Sequence, residues 1–185
     1  MPDPGPEADP DLPFTLEGGR EILVATPEAL RSRLQGLSDA WTSVAESPEE
    51  WTPWQVLAHL THIEETDWID RTQVILRHGP DRPFDPVDRE AGFERFAGLS
   101  LSEVLDRFAG AREANLRTLD TLVGPDDLDR PGRHPEFGLV TLGQLLATWV
   151  VHDLNHTGQI VKTLAKRYAD AVGPWRAFLP IVDAP

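Results

Sequence analysis

The chain has 185 residues, a length that suits a single domain with a sizeable buried core. Its 31 acidic residues against 17 basic ones give a formal net charge of -14, and this excess of carboxylates argues against partners such as nucleic acid or an anionic membrane surface. The absence of cysteine excludes disulfides, thiolate metal ligands and a cysteine nucleophile.

Composition also predicts the compartment and the domain boundaries. No apolar run approaches the roughly 20 residues that span a bilayer. The acidic, proline-rich residues 1–10 differ from a basic, apolar signal peptide, so we expect a cytoplasmic protein. Proline density and low hydrophobicity predict an N-terminal tail over residues 1–25. A helical domain over 26–170 and a C-terminal extension over 171–185 complete the predicted organisation.

Apolar spacing, together with start and stop signals, predicts four long helices. The first begins at Thr26, with Pro27 in its first turn, and ends before Ser47. The second opens with a capping box at Thr52 and runs to about Arg77.

Two further helices are predicted over residues 100–124 and 141–168, and each also opens with a capping box. Long connections over 79–99 and 126–140 precede them, so neighbouring helices in the sequence need not form tight hairpins. No strand pattern and no internal repeat is found. The predicted fold is therefore all-α, a four-helix bundle with long crossover connections.

His152 and His156 are the most informative residues of the chain. Two histidines four positions apart lie on one face of a helix, where two imidazoles can bind one metal ion. His59 lies at the edge of the apolar stripe of the second predicted helix and can supply a third ligand. Taken singly, each histidine is more often a hydrogen-bonded structural residue. Three neutral histidines would leave coordination positions open, as in catalytic sites, and binding should weaken below about pH 6 as they protonate.

Three neighbouring polar residues are candidates to support these histidines. Gln159 lies one turn beyond His156 and either orients a ligand or a bound water, or belongs to a polar strip. Asp153 and Asp67 project from apolar helix faces, where an unpaired carboxylate would be costly. Each is predicted either to accept a hydrogen bond from a metal-binding histidine or to pair with a buried arginine.

The remaining histidines are weaker candidates. His62 is the main rival of His59 as the third ligand. His78 and His134 lie beside glycine or proline, and we expect both to be solvated loop residues.

Glutamates and tryptophans complete the set of candidates. Glu64 and Glu65 fall away from the inward edge of their helix and are predicted to be surface charges. The tryptophans are predicted to be core residues. For Trp54 and Trp149 the alternative prediction is that they form the wall of a pocket.

Three segments, in this order and at these separations, resemble the DinB-like family of four-helix-bundle proteins. Residues 51–60 resemble the family's W-s-p-x-x-x-l-x-H-l opening of the second helix. Residues 137–146 resemble the turn before the fourth helix and its start. Residues 152–160 resemble the family's H-x-x-x-H-x-x-Q-I pattern.

The resemblance implies a divalent metal, zinc or nickel, held by His59, His152 and His156, and it implies a homodimer. It does not supply a substrate, although some members are similar to transferases and isomerases that use mycothiol, bacillithiol or glutathione. We therefore carry three hypotheses. The first is a metal-dependent transferase that uses a low-molecular-weight thiol, the second is a metal-dependent hydrolase, and the third is a metal- or stress-linked binding protein without activity.

Overall fold

The computed structural model describes residues 13–183, and most of these residues are helical. The α-helices of this range are α1 (Leu16–Leu34), α2 (Asp39–Thr42), α3 (Pro53–Thr66), α4 (Trp68–His78), α5 (Ala91–Arg95), α6 (Leu101–Leu122) and α7 (Leu142–Lys166). Two short strands, β1 (Pro131–His134) and β2 (Gly138–Thr141), lie between α6 and α7. No helix in the described range is long and apolar enough to cross a membrane.

The long helices α1, α3, α6 and α7 form a bundle in which two pairs that follow one another in the sequence, α1/α3 and α6/α7, are not neighbours. Helix α1 packs mainly against α6 and α7, and α3 packs mainly against the same two helices. The pairs α1/α3 and α6/α7 therefore lie across the diagonals of the bundle, and the segments between them must cross an end of it. This arrangement confirms the predicted four-helix bundle with crossover connections.

Capping boxes fix the starts of three helices as the sequence predicts. In each box the side chain of the N-cap residue accepts a hydrogen bond from the backbone N–H three residues on, and that residue's side-chain oxygen accepts one from the backbone N–H of the cap. The three pairs are Thr52 with Gln55, Ser100 with Glu103, and Thr141 with Gln144.

The first helix begins at Leu16, not at Thr26, so residues 16–25 of the predicted tail are helical. The side chain of Thr15 caps this start by accepting a hydrogen bond from the backbone N–H of Gly18 at 3.1 Å. Residues 1–12 of the predicted tail lie outside the described residues.

Pro27 lies inside α1 because the hydrogen bond that it cannot make is replaced. A proline has no N–H to donate to the carbonyl four residues back, which here belongs to Leu23. That carbonyl accepts a hydrogen bond from Nη1 of Arg112 at 2.8 Å instead. The proline therefore frees an acceptor that a buried arginine of α6 uses.

The second predicted helix is interrupted at Asp67, so it consists of α3 and α4. The apolar stripe continues through this position, and for that reason the sequence shows no break. Asp67 has φ -122° and ψ -61°, outside the helical region, and its side chain forms an ion pair with Arg71 at 2.6 Å.

The connection after α6 contains an antiparallel hairpin that the sequence did not predict. Its register pairs Pro131 with Thr141 and His134 with Gly138. Strand β1 packs closely on α4, because a Cβ added to Gly132 would lie 2.6 Å from Cγ1 of Ile75. Strands of four residues are too short to show a clear period-two pattern, and for this reason the sequence does not reveal the hairpin.

Candidate metal centre

Three histidines meet between α3 and α7, as the sequence predicts. His59 comes from α3, and His152 and His156 come from successive turns of α7. One nitrogen from each ring lies within 4.8 Å of the other two, and Nε2 of His59 is 3.1 Å from Nε2 of His152. His59 and His156 are buried, and His152 is partly exposed.

The partners of the outer ring nitrogens fix the protonation of two of these rings. Nδ1 of His59 lies 2.8 Å from the carbonyl oxygen of Arg89, which can only accept, so this nitrogen carries the proton. Nδ1 of His156 donates in the same way to Oε1 of Gln159 at 2.8 Å. In the neutral state both Nε2 atoms therefore present lone pairs, while Nδ1 of His152 is buried without a hydrogen-bond partner among the described residues.

This donor set fits a divalent transition metal. Two neighbouring imidazole nitrogens bound to one ion at about 2.0–2.1 Å lie roughly 2.8–3.4 Å apart, the shorter end belonging to octahedral and the longer end to tetrahedral geometry. The 3.1 Å between the Nε2 atoms of His59 and His152 falls within that range. Imidazole donors suit zinc, nickel, copper and iron, and three protein ligands leave at least one coordination position open.

Burial keeps the three histidines neutral without a metal. It lowers the pKa of His59 to about 4 and that of His152 to about 2. The hydrogen bond from His59 to the carbonyl of Arg89 opposes the shift at His59, whereas neighbouring histidines and the charge of Arg89 lower the pKa of both rings further. The pKa of His156 is also lowered by burial, although its hydrogen bond to Gln159 opposes the shift. Protons therefore compete with a metal at lower pH than the value of about 6 expected for ordinary imidazoles.

The predicted supporting residues have different roles in the structure. Gln159 forms a hydrogen bond with the ring of His156. Of its two predicted roles, contact with a candidate metal ligand is therefore the one observed, rather than membership of a polar strip. Asp153 pairs with the buried Arg112, through contacts of 2.6 and 3.0 Å, so the arginine alternative is the one observed. Asp67 pairs with Arg71 and lines a cleft beside the histidines.

A buried ionic cluster lies beneath the histidines. Arg112 of α6 uses all five of its N–H groups, on Glu64, Asp153 and the carbonyl of Leu23. Burial alone would lower the pKa of Arg112, but the two carboxylates outweigh this effect and raise it. Glu64 also accepts hydrogen bonds from Asn115 and from the indole of Trp149.

The prediction that Glu64 is a surface charge is wrong, since its side chain is buried. Its partners come from α6 and α7, far away in the sequence, and helical spacing within α3 gives no sign of them. Glu65 is closer to the prediction, because it forms ion pairs with Arg95 and Arg107 near the surface.

Aromatic rings surround the histidines, but they are not the tryptophans that the sequence singled out. The ring of Trp51 stacks 6.2 Å from that of His156, and Trp68 meets His152 edge-on at 5.3 Å. Trp149 is fully buried and stacks on Trp68 at 5.7 Å. Trp54 packs at the border of the apolar core. Neither Trp149 nor Trp54 lines the cleft beside the site, so their predicted role as pocket walls is not observed.

An open cleft of about 530 Å³ leads to His59 and His152. Its walls combine apolar side chains with charged ones, and they include Trp68, Val87, Arg71, Arg89, Asp67 and Phe137. The volume is within the usual range for small-molecule sites.

The tip of the hairpin closes one side of this cleft. His134, predicted to be a solvated loop residue, is partly buried there, and its ring stacks on that of Phe137 at 4.4 Å. Its Nδ1 accepts hydrogen bonds from the backbone N–H groups of Glu136 and Phe137. Sequence reasoning missed this role because it did not find the hairpin.

His62 lies outside the three-histidine group that the described residues form. It is partly exposed on the neighbouring turn of α3, and its Nδ1 lies 3.5 Å from Nη1 of Arg95. The structure therefore favours His59 as the third candidate ligand.

A four-helix bundle with diagonal connections and three inward histidines defines a class of helical protein with a candidate metal centre. The sequence pattern of the DinB superfamily matches residues 22–160, so the chain belongs to this superfamily. The match includes all three histidines and Gln159.

Solved structures agree with this fold. YfiT from Bacillus subtilis, described as a probable metal-dependent hydrolase with an unusual four-helix bundle topology, superposes with a TM-score of 0.68 at 21% identity. The alignment covers 90% of this chain and 96% of that one. TT2238, described as a four-helix bundle protein, gives a TM-score of 0.55 at 23% identity, over 77% of this chain and 95% of that one. No match was found among curated proteins.

Proposed function

We propose that this protein is a metal-dependent enzyme, and that its first candidate activity is hydrolysis of a small molecule. One observation carries the proposal. Three ring nitrogens from His59, His152 and His156 lie within 4.8 Å of one another, and an open cleft reaches two of these residues, His59 and His152. A structural site would have a closed set of ligands, whereas this site combines three neutral donors with access from solvent.

The three histidines would hold the ion, and Arg89 and Gln159 would fix two of their rings through the hydrogen bonds at Nδ1. A divalent ion held in this way supplies Lewis acidity and lowers the pKa of a bound water or thiol. Zinc and nickel are the ions that we propose, since both suit imidazole donors.

Asp67 supplies the general base that a hydrolase needs. It lines the cleft together with His59 and His152. Burial raises its pKa to about 6, with Arg71 opposing the shift, so near neutral pH it is mostly ionised yet still basic enough to accept a proton. We propose that its carboxylate accepts a proton from the attacking water. The description of YfiT as a probable hydrolase agrees with this proposal.

Thiol-dependent transfer is the second candidate. The chain has no cysteine, so any thiolate used at the site must arrive with a cosubstrate. The cleft is large enough for a small thiol beside a second substrate. The resemblance to thiol-dependent members of the family supports this version.

Activity assays with and without thiol separate the two candidates. Protein reconstituted with zinc or nickel is tested on p-nitrophenyl acetate alone, and on 1-chloro-2,4-dinitrobenzene with glutathione. Metal-dependent ester turnover without thiol, reduced about 10²- to 10⁴-fold in Asp67→Asn and unchanged in the exposed control Asp126→Asn, supports the hydrolase. Turnover that requires glutathione supports the transferase. Metal binding without either activity points to a binding protein.

The remaining proposals concern assembly and compartment. We propose a homodimer, supported by the family resemblance and by the exposed side chains of Val151 and Leu154 on α7. Light scattering coupled to size-exclusion chromatography tests it. A cytoplasmic location stays a prediction from the sequence.

A further inference from the structure

Arg89 joins the candidate metal centre to the cleft. Its carbonyl oxygen holds the ring of His59 at 2.8 Å, while its side chain lines the same cleft as His59 and His152. The guanidinium carbon lies 5.9 Å from the ring centroid of Trp51, which itself contacts His59 at 5.0 Å. The backbone carbonyl of Arg89 therefore orients a candidate metal ligand, while its positive charge is available to a molecule bound in the cleft.

The local structure fixes the position of Arg89. Oδ1 of Asp88 accepts hydrogen bonds from the backbone N–H groups of Glu90 and Ala91, and these bonds form a tight turn around Arg89. The turn leads into α5, which lies directly against α3, because a Cβ added to Gly92 would lie 2.5 Å from the carbonyl oxygen of Ala58. The turn therefore fixes the backbone of Arg89, and the residue itself is exposed to solvent.

The guanidinium of Arg89 lies beside the ring of Trp51, but no carboxylate of the described residues pairs with it. Within residues 13–183, Arg89 forms no ion pair, although the chain has many more carboxylates than basic groups. The other arginine of the cleft, Arg71, is paired with Asp67 at 2.6 Å. Glu136 is the remaining acidic residue of the cleft wall, and it is exposed at the tip of the hairpin.

The candidate metal adds to this positive charge. Three neutral imidazoles contribute no negative charge, so an ion held by them keeps its +2 charge beside an unpaired guanidinium. Two cations at one end of a partly apolar cleft favour an anion between them. Arginine presents a planar pair of donors that matches a carboxylate.

We infer that the cleft binds a small carboxylate-bearing molecule, with its carboxylate on Arg89 and its apolar part between Trp68 and Phe137. This inference rests on the proposed function and names the substrate class of the same site. The apolar wall formed by Trp68, Val87 and Phe137 faces the part of the ligand that carries no charge. The positive charge of the cleft alone would not select a ligand with an apolar part.

Binding of phenylacetate, compared with that of its neutral isostere phenylacetamide, tests the inference. Calorimetric titrations use wild type, Arg89→Gln, Arg89→Lys and Arg33→Gln, and metal content is measured on the same samples. Arg33 is an exposed arginine of α1 outside the cleft, so its variant has the same change in net charge. Each Arg89 variant retains the backbone carbonyl that holds His59.

Wild type should prefer phenylacetate, and Arg89→Gln should weaken phenylacetate binding about 10- to 100-fold without changing phenylacetamide binding or metal content. Arg89→Lys should restore part of the affinity, and Arg33→Gln should behave as wild type. Equal binding of the two ligands, no saturable binding of phenylacetate, or an Arg89→Gln variant that binds like wild type would overturn the inference.

The same data separate this inference from the proposed function. If wild type contains metal but fails the binding test, the metal centre stands and the carboxylate site does not. If wild type contains no metal but binds phenylacetate through Arg89, the carboxylate site stands and the proposed metal-dependent function fails.

Discussion

Arg112 and Asp153 form a bidentate ion pair in the centre of the bundle, with N–O contacts of 2.6 and 3.0 Å. Arg112 also binds Glu64 and the carbonyl oxygen of Leu23, so one guanidinium connects α6 to α7, α3 and α1. Asp153 follows His152 directly in α7. The cluster therefore holds α7 in register with α3 at the level where the three histidines meet.

Loss of this cluster should destabilise the fold strongly. Arg112→Gln leaves two buried carboxylates without their cation, and removal of one partner from a buried ion pair typically costs about 3–5 kcal/mol. Urea unfolding of the metal-free protein measures the change. The exposed pair of Arg117 with Glu113 supplies the control, since Arg117→Gln should change stability by about 1 kcal/mol or less. Similar losses in both variants would show that the buried cluster has no special role.

Gln159 should affect metal affinity more than stability. Gln159→Leu removes the acceptor for Nδ1 of His156, and loss of such a partner typically lowers metal affinity about 10- to 100-fold. Gln159→Glu keeps an acceptor at this position and should retain the affinity. Competition titrations with a chromophoric chelator measure both. If Gln159→Leu bound metal as tightly as wild type, the hydrogen bond would have no part in ligand orientation.

The metal-free protein should lose stability as the pH falls below about 6.5. The pKa of His59 is about 4 in the fold against an ordinary value of 6.5, so between these values the unfolded chain binds a proton that the folded chain does not. Stability from neutral His59 is therefore complete above pH 6.5 and falls by about 1.4 kcal/mol per pH unit toward pH 4.

Comparison with His59→Gln isolates this contribution, because other titrating groups affect both proteins. Between pH 4 and pH 6.5 the stability of the variant should depend on pH less steeply than that of wild type, by about 1.4 kcal/mol per pH unit. Urea unfolding at several pH values measures the two slopes. Parallel slopes would mean that His59 has an ordinary pKa in the fold.

Local signals predicted the bundle and the three histidines. The capping boxes at Thr52, Ser100 and Thr141 mark helix starts through contacts three residues apart, and the spacing of His152 and His156 requires only a helix. The sequence also placed His59 correctly, because its position relative to the apolar stripe is a property of one helix.

Features that depend on distant partners could not be predicted. Pro27 resembles a helix start, and its tolerance inside α1 depends on Arg112, which lies far along the chain. The burial of Glu64 depends on the same arginine. Arg89 lies in a connection without a pattern, and only the packing of α5 on α3 brings it to the histidines.

The most direct test of the account is the metal content of tag-free protein that has never contacted a nickel column. Mass spectrometry is applied to wild type, to His156→Ala and to His78→Ala, which removes an exposed histidine outside the site. The account predicts about one metal ion per chain in wild type and His78→Ala, and little in His156→Ala. Little metal in all three, or equal metal in wild type and His156→Ala, would contradict the proposed centre.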